Sequence, residues 1–161
     1  MKARLLILFF IVFSLPAVAQ DWKQLSDSLI YYYQRKDYTR AIPAAIKATA
    51  ATKEKFGDTP VYGSFLSLTG GLYVTTQQWS LAEPYMVEAL RVYRKSVGEE
   101  HKDFTQTINV LAIIYSNLGQ NYKAAPLLLQ ASNIYKKKFG EDNVDYAASL
   151  NKLGKIYEES G

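Results

Sequence analysis

The sequence contains no cysteine and only one histidine among its 161 residues. Without cysteine the chain has no disulfide framework, no thiolate metal site and no cysteine nucleophile. The single histidine, His101, has no evident partner in the sequence that would orient it as a catalytic base. We therefore expect His101 to have a structural role in a turn.

The glycines and acidic residues also lack the spacing of common ligand sites. Gly70 and Gly71 lie in a helical pattern, without the strand and lysine that accompany a phosphate-binding loop. The acidic pairs at 99–100 and 141–142 do not alternate as calcium ligands do. The sequence therefore predicts no catalytic residue, no metal site and no cofactor, and we expect that the chain is not an enzyme.

Long apolar runs are absent except at the N-terminus, where one extends from Leu5 to Leu15. It follows a basic start and precedes the small residues Ala17 and Ala19, an arrangement typical of a secretory signal peptide. A membrane anchor is the alternative, but the run is shorter than the ~20 residues that span a bilayer. We expect a signal peptide at 1–19, export to the periplasm or the exterior, and no stable membrane insertion afterwards.

A clustered basic surface is missing as well. Removing Lys2 and Arg4 with the leader leaves 17 basic against 15 acidic residues, a net charge of +2 instead of the +4 of the full chain. The one dense basic run, at 136–138, falls at the end of a predicted helix, where cations complement the helix dipole. We therefore expect no nucleic-acid binding.

Three sets of landmarks recur about 42 residues apart in the remaining chain. Such self-similarity is the signature of a solenoid built from repeated units. The recurring residues are Gly57, Gly98 and Gly140; Tyr73, Tyr115 and Tyr157; and Ala41, Ala82 and Ala124, each followed two residues later by a proline.

Apolar residues within each unit fall at helical spacing, and each unit reads as two helices. Gly119 marks the turn between the two helices of one unit. The phrase of glycine and acids ends a unit, and we expect Asp103 or Asn143 to cap the next helix. Small residues at Gly70, Ala112 and Gly154 should let neighbouring helices approach closely.

These motifs resemble the tetratricopeptide repeat, in the 42-residue form of kinesin light chains and many bacterial proteins. The matching phrases are LGQNYKAAPLL, SLNKLGKIY and GEEHKDF. The resemblance implies an all-α, right-handed α-solenoid of about three and a half repeats over residues 20–161. The expected units are 21–60, 61–102, 103–142 and a partial unit at 143–161.

The first unit departs from the family pattern, since Leu29 replaces the usual small residue. The last unit reaches only its first helix, which either caps a short array or belongs to a longer protein. Acids near the end of that helix oppose the helix dipole, which favours the second interpretation. Its face with Leu150, Leu153, Ile156 and Tyr157 would then be uncovered.

The resemblance also implies a concave groove lined by the first helix of each unit. Tyr32 aligns with the core tyrosines, which leaves Tyr33 for the inner surface. Asparagine amides offer both a donor and an acceptor to a peptide backbone, and lysines favour an acidic segment. The candidate groove residues are Tyr33, Gln34, Ser67, Gln106, Asn109, Asn117, Asn151, Lys152 and Lys155.

The leading hypothesis is an exported, non-enzymatic scaffold that binds a partner protein or peptide in this groove. Similar bacterial chains carry such repeats in front of a caspase-like protease domain of the CHAT type, so a recognition arm of such a protease is a second hypothesis. Self-association through the uncovered face of the last helix is a third, because exposed apolar faces often mark interfaces.

Overall fold

A computed structural model describes residues 22–160, and the predicted signal peptide at 1–19 lies outside the described residues. Within 22–160 the chain forms seven α-helices and no strand. The helices are α1 Trp22–Gln34, α2 Tyr38–Phe56, α3 Pro60–Thr75, α4 Trp79–Ser96, α5 Lys102–Asn117, α6 Asn121–Phe139 and α7 Val144–Ser160.

The helices stack in sequence order, and each packs mainly against the one before it and the one after it. The pairs α1–α2, α3–α4 and α5–α6 form three repeats, and α7 is the first helix of a fourth. This arrangement confirms the predicted α-solenoid of about three and a half repeats. Because each helix buries its apolar stripe only on its neighbours, the core is continuous along the stack.

The turn inside each repeat is conserved in geometry although not in sequence. Gly119 has a positive φ of 69°, as its residue type favours. Lys36 and Gln77 occupy the equivalent positions and adopt φ 57° despite having side chains. That left-handed conformation costs a non-glycine residue about 1 kcal/mol, so the surrounding hydrogen bonds must hold the first two turns in shape.

Those hydrogen bonds come from the core tyrosine of each repeat. The backbone N–H of Gln78 donates to the carbonyl of Tyr73 at 2.8 Å, and that of Gln120 donates to Tyr115 at 2.8 Å. The same bond joins Asp37 to Tyr32 at 3.0 Å. Each turn is therefore tied to a residue whose ring packs in the core or against its edge.

The expected helix caps between repeats are confirmed at Asn143 and wrong at Asp103. Asn143 Oδ1 accepts from the backbone N–H of Tyr146 at 3.0 Å. At the preceding boundary the capping residue is His101, whose Nδ1 accepts from the N–H of Asp103 at 3.3 Å. Asp103 lies in the first turn of α5, where its negative charge complements the helix dipole. His101 therefore has the structural role expected of it.

Close approach of helices depends on two glycines of α3. A Cβ added at Gly70 would lie 3.0 Å from Cε of Met86, which confirms the predicted role of this small residue. A Cβ at Gly63 would lie only 2.7 Å from Cε1 of Tyr93, a contact that the sequence analysis missed. Gly71 has open space around it, so nothing in the packing requires a glycine there.

The prediction of an uncovered apolar face on α7 is only partly correct. Leu150 and Tyr157 are exposed, at 39% and 59%. Leu153 and Ile156 are buried in the main core, at 8% and 5% exposure, because they lie on the side of α7 that packs toward α6. The uncovered face is therefore narrower than expected.

The glycine between two repeats is followed each time by an acidic residue that forms ion pairs or hydrogen bonds with neighbouring helices. We call this recurring set of contacts the clamp. Asp58 binds Lys53 of the preceding helix and Arg91 of α4, with 2.9 Å between Arg91 Nη1 and Asp58 Oδ2. Hydrogen bonds from Arg91 and Lys53 hold the pKa of the Asp58 carboxyl well below its usual range. The clamp thus joins the second helix of one repeat to the second helix of the next.

The clamp is repeated at the next boundary. Glu99 accepts from Arg94 at 2.7 Å and from Gln130 of α6 at 3.0 Å. At the last boundary Glu141 pairs with Lys136 at 2.6 Å, the backward half of the same arrangement. The repeated glycine and acid phrase of the sequence is therefore both a turn and an electrostatic connection.

Candidate peptide-binding groove

A cavity of about 650 Å³ opens along α3 and α5 and reaches α7. Three of the predicted groove residues on these first helices line it, namely Ser67, Gln106 and Asn109, together with Lys152 of α7. We call it the groove cavity. A second cavity of about 200 Å³ lies beside it between α5 and α7. Asn117, Lys152 and Lys155 line this smaller cavity, so the two share Lys152.

Three predicted residues lie elsewhere. Tyr33 and Gln34 are exposed at the end of α1, and neither lines either cavity. Asn151 is exposed on α7 and also lines neither of them. The structure therefore brings six of the nine predicted residues together around two adjoining cavities and leaves three outside.

Two buried polar atoms in the groove cavity have no hydrogen-bond partner within residues 22–160. They are Oγ of Ser67 and Oδ1 of Asn109, which lie one repeat apart, each three residues before the small residue of its helix. The other end of the Asn109 amide donates from Nδ2 to the hydroxyl of Tyr135 at 3.2 Å. Buried polar atoms are normally paired. Trp22, Thr59 and Ser96 also have a buried polar atom without a hydrogen bond, so the position of Ser67 and Asn109 in one cavity is what makes them candidate ligand contacts.

Charged side chains surround these atoms. The groove cavity is lined by Lys102, Lys138, Lys152, Glu100, Asp103 and Asp145. Lys102 and Lys152 make no ion pair among the described residues, whereas Glu100 pairs with Lys137 at 2.7 Å. The hydrogen bond from Lys137 lowers the pKa of the Glu100 carboxyl. Because Glu100 is already paired with Lys137, the remaining charges of the lining are the ammonium groups of three lysines against the carboxylates of Asp103 and Asp145.

An apolar strip also lines the groove cavity, and none of its residues was among the predicted groove residues. It includes Val110 and Ile113 of α5 and Ile134 and Phe139 of α6. Phe139 is 56% exposed and Ile113 is 37% exposed. Ile113 follows the small residue of its helix, the position that Lys155 has in α7, so the repeat alignment carried the signal for it.

The rest of the described chain offers no competing chemistry. Residues 22–160 bring no three histidine, aspartate or glutamate side chains together as a metal site requires. None of the helices in this range combines the length and the hydropathy needed to cross a bilayer.

Two tetratricopeptide repeat profiles match adjoining segments of the chain, residues 70–103 and residues 104–161. Together the segments span more than half of the sequence and cover α4 to α7 with the end of α3. The chain belongs to the tetratricopeptide repeat family. No curated protein sequence matches this tetratricopeptide protein significantly.

Solved tetratricopeptide structures share its fold. BtubC (BKLC) from P. vanneervenii superposes with a TM-score of 0.72 at 22% identity, over 86% of this chain and 55% of that one. A Podosopora anserina protein described as a kinesin light chain gives 0.75 at 18% identity, over 87% and 67%. The tetratricopeptide chain thus spans about half the length of BtubC.

One similar structure, of a shorter chain, was solved in complex with a peptide. The first tetratricopeptide domain of Spaghetti (RPAP3), bound to the HSP90 peptide SRMEEVD, superposes with a TM-score of 0.63 at 16% identity. The match covers 88% of this chain and 94% of that one. At these identities the three likenesses establish the fold, and they agree with repeats of the kinesin light chain type.

Proposed function

We propose that this tetratricopeptide protein is an exported, non-enzymatic scaffold that holds an extended segment of a partner protein in the groove cavity. The observation that supports it most directly is the pair of unpartnered atoms, Ser67 Oγ and Asn109 Oδ1. They lie at the same position of α3 and α5, the first helices of successive repeats, and an extended peptide offers backbone groups along its length that can pair with both.

The apolar strip supplies the rest of the proposed site. Ile113 and Phe139 are exposed beside the polar atoms, so a peptide held by its backbone would rest apolar side chains on them. Burying apolar surface contributes about 25 cal/mol per Å², whereas a hydrogen bond contributes about 1 kcal/mol. Affinity would come mainly from the strip and orientation from Ser67 and Asn109.

We further propose that the bound segment is acidic toward α7. Lys102 and Lys152 make no ion pair at the wall of the groove cavity, whereas Lys155 in the second cavity is paired with Glu159 at 3.8 Å. The peptide in the Spaghetti domain, SRMEEVD, has acidic residues. Lysines at this end would favour such a segment through Coulomb attraction that weakens at high salt.

Export is the part of the proposal that rests on the N-terminal segment alone. The basic start, apolar run and small residues before Gln20 support a signal peptide, and the absence of cysteine suits folding in an oxidising compartment. N-terminal sequencing of the protein recovered outside the cytoplasm should begin at Gln20. A protein recovered with Met1 intact from the cytoplasm would contradict export.

A recognition arm of a CHAT-type protease would use the same groove, and self-association would use α7 instead. The gene downstream of Gly161 separates the first alternative from a free scaffold. A reading frame that continues into a domain with a histidine and cysteine dyad would favour the protease arm. A frame that continues only into further repeats would favour the scaffold.

The groove proposal is tested with peptides selected from a displayed random library on the wild-type chain. Ser67→Ala removes an atom that makes no protein hydrogen bond, so folding should be unaffected. We expect a several-fold to about tenfold loss of affinity, since a hydrogen bond is worth about 1 kcal/mol and 1.4 kcal/mol is tenfold. Asn109→Ala should lose at least as much.

Asn151→Ala is the matched control, because Asn151 has the same position in α7 but lies outside both cavities. Its affinity for the selected peptides should equal that of the wild type. Equal binding by Ser67→Ala, Asn109→Ala and Asn151→Ala would contradict the groove proposal. Loss of affinity in Asn151→Ala alone would place the site on the outer face of α7.

A further inference from the structure

The last helix exposes an apolar stripe. The equivalent stripe in the first helix of the preceding repeat is buried. In α5 the four residues of this stripe are buried against α6, at 0 to 9% exposure, and they are Thr105, Ile108, Ala112 and Tyr115. The equivalent residues of α7 are exposed. They form what we call the end stripe, which consists of Ala147, Leu150, Gly154 and Tyr157.

The end stripe is shaped to receive a helix. Gly154 has no atom within 4 Å of an added Cβ, whereas the equivalent Gly70 of α3 is in contact with Met86. A glycine at the centre of an exposed stripe costs a helix about 1 kcal/mol relative to alanine, so a close helix contact would explain its presence. Leu150 and Tyr157 are exposed on either side of it.

The end stripe is a different surface from the groove. Successive residues of an α-helix point about 100° apart, which places Lys152 and Glu159 on the side of α7 opposite Leu150. Those two residues line the cavities described above. The four residues of the end stripe carry no charge, and the nearest charged residue is Glu158, about 20° around the helix from Ala147.

Large and small residues alternate in the end stripe with two-fold symmetry. If two copies of α7 run antiparallel and cross near Lys152, Leu150 of one copy lies opposite Gly154 of the other, and Tyr157 lies opposite Ala147. Each large side chain then meets a small one, and the pattern is the same for both copies. A self-complementary patch of this kind is what a two-fold interface requires.

Asn151 adds a polar contact to this arrangement. It lies beside the end stripe, is exposed, and makes no hydrogen bond through its side chain within the described residues. Near the two-fold axis its amide would lie close to the same amide of the other copy. Because an amide carries both a donor and an acceptor, two copies can pair without any other partner.

The opposite end of the stack does not offer a matching surface. Phe65, Thr69 and Leu72 of α3 pack on α2, and their equivalents in α1 are Gln24, Ser28 and Tyr31. Gln24 and Ser28 are exposed polar residues, and Arg35 covers the ring of Tyr31 at 3.7 Å. Joining α7 to α1 of the next copy would bury these polar groups. The end stripe therefore favours a closed pair over an open filament.

We propose that the end stripe of α7 packs antiparallel on the end stripe of a second copy and forms a two-fold dimer in which both grooves remain open. A contact of one helix on one helix lies at the small end of specific interfaces, so the dimer dissociates on dilution. The proposal uses a surface outside the groove and does not depend on peptide binding.

The cysteine-free sequence permits a direct test by cross-linking the full chain. Ala147→Cys and Tyr157→Cys combined should give a covalent dimer on mild oxidation. The two positions are about 15 Å apart along one helix, too far for a disulfide within one copy, which needs Cα atoms closer than about 7 Å. Each single variant should stay monomeric on a non-reducing gel, because like positions are far apart in the antiparallel pair.

Sedimentation of unlinked protein supplies the second measurement. Gly154→Gln should abolish dimers while raising the melting temperature of the monomer, because glutamine favours the helix and fills open space. Gly71→Gln is the matched control, since Gly71 is also open but lies on α3, and its dimer should persist.

Three results would overturn the proposal. The single cysteine variants could cross-link as well as the double variant, which indicates another geometry. The chain could remain monomeric at every concentration, as it would if a later helix of a longer chain or another partner held the end stripe. Dimers could also persist unchanged in Gly154→Gln, which would place the contact elsewhere.

Discussion

Arg91 of α4 lies 2.9 Å from Asp58 in the turn between α2 and α3, so one ion pair connects the second helix of the second repeat to the turn that ends the first repeat. The same guanidinium also binds Glu88 at 2.7 Å, and Lys53 reaches Asp58 from α2. Arginine is suited to this position because its planar fork can bind two carboxylates at once. The carboxylate of Asp58 thereby connects α2 with α4 across the boundary between repeats.

Asp58→Asn should lower the melting temperature at neutral pH. The pKa of Asp58 is depressed in the folded chain by Arg91 and Lys53, so its ion pairs stabilise the fold at a pH above the unfolded pKa of about 4. As the pH falls below about 5 the unfolded chain takes up the proton first, and this stabilisation declines. Circular dichroism melts from pH 7 to pH 3 should show the difference between wild type and variant shrinking with pH.

High salt should also reduce the difference in melting temperature between wild type and Asp58→Asn. The ion pair of Asp58 with Arg91 is partly exposed, so dissolved ions screen it. Asp142→Asn is a suitable control, since Asp142 is an exposed acid of the turn between α6 and α7 and makes no ion pair among the described residues. A difference between wild type and Asp58→Asn that is constant from pH 7 to pH 3 would argue against the clamp.

Gly63→Ala should destabilise the protein, although alanine is the better helix former. The added Cβ would meet the ring of Tyr93 at 2.7 Å, and overpacking of this kind typically costs about 1–3 kcal/mol. Gly71→Ala, eight residues further along the same helix, should instead stabilise by up to about 1 kcal/mol. Urea denaturation of the two variants measures both changes, and a shared sign would contradict the packing described for α3.

Tyr135→Phe should weaken peptide binding in the groove without changing the shape of the groove. The hydroxyl of Tyr135 accepts from Asn109, and removing it leaves that amide free to rotate in the groove cavity. We expect a stability loss of about 1 kcal/mol and a lower affinity for selected peptides. Tyr62→Phe, a buried tyrosine away from the groove, should leave the affinity unchanged, as measured by fluorescence anisotropy.

Leu29→Ala should loosen the first repeat more than the rest of the stack. Leu29 is fully buried in a small cluster with Ala41, Ala45 and Leu72, separate from the larger core. Such truncations cost about 2–5 kcal/mol, and in a solenoid the loss falls mainly on the repeat that contains the site. Hydrogen exchange should show α1 and α2 losing protection while α5 and α6 retain it. Ile108→Ala should instead weaken the larger core, and uniform loss in both variants would indicate all-or-none unfolding.

The helices and the stacking order could be predicted because three landmarks fix the register of each repeat. Tyr73 and Tyr115 have the same local role, whereas Tyr157 at the equivalent position of α7 is exposed because no further helix packs on it in the described chain. Lys36 and Gln77 adopt the glycine conformation without being glycines, since the neighbouring hydrogen bonds impose it. A repeated sequence therefore predicts backbone geometry even at positions where the residue type argues against it.

The site was less predictable because it depends on contacts between repeats. Ser67 and Asn109 were placed correctly at the cavity by their alignment, but their unpaired atoms follow from packing that one sequence does not show. Asn151 has the same alignment and lies outside the cavities, since no fifth first helix extends the wall beyond α7 in the described chain. Alignment predicts position, and the neighbours decide what that position contacts.

The clamps also determine how the stack responds to force. Asp58 and Glu99 connect successive second helices, whereas the first helices that line the groove have no such ion pairs across the cavity within residues 22–160. Bending that separates the second helices must break these charged contacts. Bending that changes the width of the groove can leave them intact. The array should therefore be mechanically anisotropic, resisting extension along the second helices more than a change in groove width, and this resistance should weaken with ionic strength because salt screens exposed ion pairs.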